Sequence, residues 1–232
     1  MGSNLSRRSF LGAAGAAAAA GAVPAAAAAQ DAAKGIKILG IATSLRKGKT
    51  TAAGVQACLD AAKAVAPDRI EIELVELADL SLPAGPLVGL PLAPGQADDF
   101  PKLAEKMADP KVAGIVVGSP VYMGTLSSLC KVFLERCLFF KKNNYGLSGK
   151  VAGAIAVGGA RNGGQERVLQ EIHAGLVTHE MVIVGEARPT SHFGGTLWNH
   201  WKDDISKDED GLATVKNLGK QVAEVALRMA AK

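Results

Sequence analysis

Residues 112–136 read VAGIVVGSPVYMGTLSSLCKVFLER, and three kinds of segment follow one another within them. Ala113 to Val117 is a short apolar run rich in β-branched residues, the kind a parallel sheet buries on both faces. Gly118, Ser119 and Pro120 are expected to stop it, and Gly124 to admit a close backbone approach. From Leu126 to Arg136 a helix is expected, the apolar positions Leu129, Val132, Phe133 and Leu138 recurring with helical spacing. A loop placed between such a strand and such a helix lies outside the carboxyl end of a parallel strand, which is where open α/β sheets bind ligands.

Two further stretches repeat the design. Lys37 to Thr43 reads as a strand, Ser44 to Thr51 (SLRKGKTT) as a loop rich in hydroxyls and cations, and Ala52 to Val65 as a helix. The unpaired N–H groups and positive dipole of that helix start suit a phosphate, with Ser44, Thr50 and Thr51 as hydroxyl donors. Val151 to Val157 is the third strand of this kind, followed by GGARNGGQE at 158–166 and a helix through His173. Three loops from three strands therefore converge on one sheet edge.

The remaining elements complete an open sheet. Ile70 to Leu77 alternates as a second strand after the Pro67-Asp68 stop, Asp98 and Asp99 open a helix to Met107, Met181 to Gly185 supplies a fifth strand, and Asp210-Gly211 introduces a last helix to about Lys232. The order predicts a doubly wound α/β fold with a five-stranded parallel sheet, 2-1-3-4-5. Leu80 to Gln96 is Pro/Gly-rich and apolar, a long loop of the sort that forms lids or interfaces.

SLRKGKTT, SPVYMG (119–124) with KVFLER (131–136) behind it, and GGARNGGQE together resemble the flavodoxin-like NAD(P)H-dependent FMN reductase and iron-sulfur flavoprotein family, over about Lys37 to Gly185. The resemblance implies that Ser44, Arg46, Lys47, Thr50 and Thr51 surround an FMN phosphate. It also implies that Ser119, Pro120, Val121, Tyr122, Met123 and Gly124, with Gly158, Gly159, Ala160, Arg161, Gly163 and Gly164, wrap the isoalloxazine ring. The implied activity is electron transfer or two-electron reduction of a small acceptor such as a quinone, by a homodimer or homotetramer. A non-catalytic electron carrier would use the same loops without a substrate pocket. The family's first loop usually reads SPRKGGNT, so Leu45, Lys49 and Thr50 depart from it. FMN is expected over FAD, because no G-x-G-x-x-G fingerprint follows a strand.

Length and charge narrow the choice. The chain has 232 residues, of which 1–30 read as a leader and 31–232 as one α/β domain. In the leader, Ser6-Arg-Arg-Ser-Phe-Leu11 precedes an Ala/Gly-rich apolar stretch, the form of a twin-arginine export signal with cleavage around Ala29. The stretch is short of the ~20 residues a membrane span needs. Export places the mature protein in the periplasm or outside the cell, away from NAD(P)H, so a quinol or a redox partner protein is the expected donor. The formal charge of +4 falls to +2 without Arg7 and Arg8, too little for a nucleic-acid footprint.

Other motifs read less sharply. Thr43 to Thr50 nearly spells a P-loop, but threonine stands where the first glycine belongs and no acidic residue ends a neighbouring strand. Arg161 faces either the cofactor or Glu166. Trp198 and Trp201, in the polar stretch Ser191 to Gly211, form either an aromatic wall over the flavin or a dimer contact. The four histidines lack ligand spacing, and Cys58, Cys130 and Cys137 read as small apolar groups. Iron-sulfur members carry a cysteine cluster where this chain has Leu80 to Gln96, which contains no cysteine. Iron and acid-labile sulfide assays on anaerobically purified protein are expected to read background, since thiolate ligands are missing; stoichiometric iron and sulfide would refute this.

Overall fold

The computed structural model describes residues 35–231; the leader expected at 1–30 lies outside them. In chain order the elements are β1 (Ile36–Ala42), α1 (Thr50–Val65), β2 (Ile70–Glu76), α2 (Phe100–Ala108), β3 (Val112–Tyr122), β4 (Thr125–Leu126), α3 (Ser128–Arg136), α4 (Leu138–Lys142), β5 (Val151–Gly158), α5 (Gln165–Val177), β6 (Val182–Ile183), β7 (Gly195–Trp198) and α6 (Glu209–Ala230). The sheet runs β2-β1-β3-β5-β6, with all of these neighbours parallel. This is the expected 2-1-3-4-5 order.

Successive residues of the central strands point to opposite faces, so each face has its own core. Leu39, Ile41, Ile115 and Val117 meet Phe100, Phe133, Phe140 and Ile172 from α2, α3, α4 and α5. Ile38, Val116, Ile155 and Val157 meet Val55, Leu59, Leu218 and Val222 from α1 and α6. The chain has only 4% aromatic residues, and among the described residues the three fully buried Phe side chains all lie on the first face. The second is built from aliphatic groups and depends on close helix approach. Gly219 of α6 lies against the Cys58 carbonyl of α1, where a β-carbon would collide with backbone.

Two expectations are corrected. Gly118, Ser119 and Pro120 do not stop β3, which stays paired with β5 through Gly118↔Ile155, Ser119↔Ala156 and Pro120↔Val157. β1 has ended by then, its last pairing being Ala42↔Gly118, so Pro120 lies in a stretch with one neighbour to bond, where a missing N–H is tolerated. Beyond it the chain makes a hairpin, Tyr122↔Thr125, around Met123 and Gly124, both at positive φ (51° and 74°) as a tight primed turn requires. The helix therefore begins at Ser128 rather than Leu126.

The fifth strand is split. Only Val182 and Ile183 pair with the start of β5, and its end, Ile155 to Gly158, pairs with Gly195–Trp198. The excursion between them is held by the fully buried Glu186 carboxylate, bonded to Thr190 and to His192 Nδ1. Trp198 is thus a strand residue and not part of a free loop.

Gly219→Ala sets two effects against each other. Alanine gains roughly 1 kcal/mol of helix propensity, whereas forcing a methyl against fixed backbone costs about 1–3 kcal/mol. The obstacle is a carbonyl and cannot rotate away, so the variant is expected to unfold at lower urea than the wild type. A higher midpoint would show that α1 and α6 separate freely.

Candidate functional site

The site is assembled at the carboxyl ends of β1, β3 and β5. Thr43 leaves β1 and donates twice to the Gly118 carbonyl, from its N–H and from Oγ1, each at 2.8 Å. Its own carbonyl accepts from Ser127 Oγ (2.8 Å), while Ser127 N–H donates to Ser119 Oγ (3.0 Å) and Ser127 Oγ caps α3 by accepting from Cys130 N–H (3.1 Å). These buried hydroxyls fix the first loop against the second. Ser119, a cofactor contact by sequence, is occupied here, donating also to the Pro120 carbonyl.

The first loop then delivers the amino terminus of α1. Its cap residue is Lys49, no side chain caps the helix, and no acidic residue lies in the first turn. Thr50 and Thr51 are buried, as is Ser44, whose Oγ accepts from Arg46 N–H (3.1 Å). The cations divide. Lys47 pairs outward with Asp79 (2.8 Å), whereas Arg46 and Lys49 both reach Asp203, at 2.7 and 3.7 Å. The bond to Asp203 holds the Arg46 guanidinium more firmly in its charged form.

The second and third loops touch through glycine. Gly164, the cap residue of α5 at φ 116°, lies so close to Gly124 that a β-carbon on it would stand 2.9 Å from the Gly124 α-carbon. Gln165 closes the third loop by donating to the Ala160 carbonyl (2.7 Å). Trp198 Nε1 donates to the Gly159 carbonyl (2.7 Å) and its ring stacks on His200 at 3.5 Å.

Between the loops lies a cleft of about 200 Å³. Of the residues singled out by sequence, Arg46, Thr50, Pro120, Val121, Tyr122 and Gly159 line it, as does Trp201, one of the two tryptophans read as an aromatic wall or a dimer contact; Asn199 and Asp203 line it without having been singled out. The exposed Met123 caps the hairpin tip. Arg161 turns away from this cleft, pairing with buried Asp208 (3.1 Å) and lying 4.9 Å over Trp198, at the wall of a separate cavity of about 420 Å³. Of the partners read for Arg161, Glu166 is not the one it has; its ion pair is with Asp208.

Fold and edge loops define a flavodoxin-like α/β protein. Residues 36–195 match the NADPH-dependent FMN reductase family, and residues 4–24 match the twin-arginine translocation pathway signal sequence. An iron-sulfur flavoprotein of Methanocaldococcus jannaschii is 38% identical over 195 residues, 82% of this chain and 97% of the relative. An NAD(P)H dehydrogenase (quinone) of Archaeoglobus fulgidus is 31% identical over 118 residues, 50% of this chain and 60% of the relative. The solved oxidoreductase of Corynebacterium diphtheriae superposes with a TM-score of 0.62 at 16% identity, covering 84% of this chain and 98% of that one. The chain belongs to the NADPH-dependent FMN reductase family: it is an FMN-dependent oxidoreductase carrying a twin-arginine signal sequence.

Cys130 lies under the site, its thiol pushed up to about 11 by burial. Cys58 and Cys137 are buried and raised still further, again by burial. A thiol reacts as thiolate, so native protein at pH 8 is expected to show no fast thiol toward a disulfide reagent, and unfolded protein three. Rapid labelling of the native state would refute the packing described.

Proposed function

We propose that the protein works after export, as an FMN oxidoreductase that reduces a small acceptor such as a quinone and is itself reduced by a membrane quinol or a redox partner protein. The observation that carries the reading is the uncapped α1 amino terminus, with buried Thr50 and Thr51 and the cations Arg46 and Lys49 beside it, at the edge where the glycine loops meet. Helix N–H groups, hydroxyls and guanidinium are a donor set for a phosphate dianion, so the residues present fit the cofactor. In this reading Ser44, Arg46, Thr50 and Thr51 hold the phosphate, and Tyr122 and the backbone around Gly124, Gly158 and Gly159 support the ring. Bound FMN supplies one- and two-electron chemistry; the chain supplies orientation, exclusion of water and backbone donors near the ring nitrogens.

The twin-arginine pathway carries folded proteins, which lets a cofactor be loaded before crossing. Among the described residues no helix is long and apolar enough to span a membrane. Outside the cytoplasm NAD(P)H is not supplied, and a docking face for another donor is needed. Residues 80–96 offer one: Val88 and Leu90 are 70% and 60% exposed on a loop held at its base by Arg136, which donates to the Pro83 carbonyl and to Asp98 (2.7 Å). Exposed apolar surface of this kind marks interaction sites. Assembly as a homodimer or homotetramer belongs to the same reading.

Replacing Ser44 and Thr51 together by alanine is expected to weaken FMN about a hundredfold or more, since donors to a buried anion contribute ~1.5–3 kcal/mol each; unchanged affinity would move the phosphate elsewhere. In stopped-flow work a quinol or membrane fraction is expected to reduce the bound flavin faster than NADH or NADPH. Rapid, saturable reduction by low NADPH would overturn the proposed donor.

A further inference from the structure

The cleft of about 200 Å³ is smaller than the roughly 300–1,000 Å³ of sites that enclose ligands of cofactor size. What fills it is the chain itself. Trp201 lies flat on the Gly159 backbone, so that a β-carbon on Gly159 would come within 2.5–2.8 Å of three indole atoms. Asp203 sits on Arg46 (2.7 Å) and Lys49 (3.7 Å). One short segment thus sets an aromatic ring on the platform assigned above to the isoalloxazine, and an anion on the cations assigned to the phosphate.

We propose that residues 201–203 are a built-in place-holder for FMN, which swings out of the cleft when the cofactor binds and sets how tightly it is held. The inference rests on the FMN site proposed above.

The segment is built to move without disturbing its ends. Trp198 N–H donates to Asp208 Oδ2 (2.6 Å), tying together two residues ten apart in sequence, and Asp208 also caps α6 by accepting from Gly211 N–H (3.2 Å). The chain between is an excursion with a closed base. At its tip His200, Trp201 and Asp203 all take positive φ (52°, 59° and 49°), which residues other than glycine disfavour. Asn199 N–H stays bonded to the Gly158 carbonyl (3.0 Å) and His200 stays stacked on Trp198 (3.5 Å), so the part free to move is Trp201 to Asp203. Its grip on the cleft is light: Trp201 is 81% exposed, and the Arg46 and Asp203 side chains are 49% and 39% exposed, so their ion pair is weak in water. A phosphate dianion brings more charge to the same cations than one carboxylate, and a carboxylate left beside it would repel it. Place-holder and cofactor therefore exclude each other.

The sign of a mutational effect tests this against the opposite arrangement, a clamp in which Trp201 closes over bound flavin. With flavin-free full-length protein, FMN titrations followed by flavin fluorescence are expected to give a Kd about two- to fivefold lower for Asp203→Asn and for Trp201→Ala than for wild type, as expected when a weakly held blocked state is depopulated. Equal or weaker binding in Asp203→Asn overturns the proposal, and that exposed site keeps the test available if Trp201→Ala misfolds by circular dichroism. On wild-type protein, FMN is expected to speed trypsin cleavage after Lys202; protection there instead identifies a clamp and overturns the proposal. If wild type takes up no FMN, the site reading itself fails and the place-holder with it, whereas tight wild-type binding unaffected by Asp203→Asn removes the place-holder alone.

Discussion

Thr43 donates to the Gly118 carbonyl through both its N–H and its hydroxyl, and this paired bond decides where the first two loops stand. β1 and β3 end their ladder at Ala42↔Gly118, and without a continuation the two chains would diverge into solvent. The Thr43 hydroxyl carries the connection one step further, and Ser127 extends it by bonding the Thr43 carbonyl while capping α3. These buried polar groups satisfy one another, so none carries the cost of an unmade bond. The consequence is geometric: α1 begins where the second loop also turns, and its uncapped amino end faces that loop's hairpin across a narrow cleft.

Glycine and aliphatic packing hold the frame behind this edge. α1 approaches α6 closely enough for Gly219 to touch the Cys58 carbonyl, and both helices bury against Ile38, Val116 and Ile155. The opposite face uses larger groups, Phe100, Phe133 and Phe140, and a buried Arg136–Asp98 pair that also secures the apolar 80–96 loop. The Arg136 side chain is only 7% exposed, and Asp98, a carbonyl and the Phe100 ring 4.8 Å away all face it, so it is buried with partners.

Much of this was legible in sequence because it rests on local rules. Ala113 to Val117 and Val151 to Val157 are apolar runs of the kind a two-sided sheet buries, and the hydroxyl and glycine loops after them mark helix starts. The β3 extension was not legible: Gly118-Ser119-Pro120 is a strand terminator by composition, and only the neighbouring β5 ladder overrides it. Nor was the split fifth strand, since Gly195–Trp198 spans four residues and its pairing is set by contact with β5, not by pattern. Of the residues that line the cleft, Arg46, Thr50, Tyr122 and Gly159 are legible as candidates because loop chemistry points to them. Asp203 was missed because its partners lie more than 150 positions away, and an aspartate in a charged stretch carries no mark of the cations it meets.

The family supplies a reductase and the leader carries a twin-arginine signal sequence, and the two meet in one requirement, that FMN be bound. The most direct measurement is the absorption spectrum of the purified protein, with the flavin extracted and identified by mass and, where little is bound, FMN added back. Flavin bands and one FMN per chain, as isolated or after addition, are predicted. Colourless protein that takes up no FMN, or protein that retains FAD in preference, would contradict the central claim.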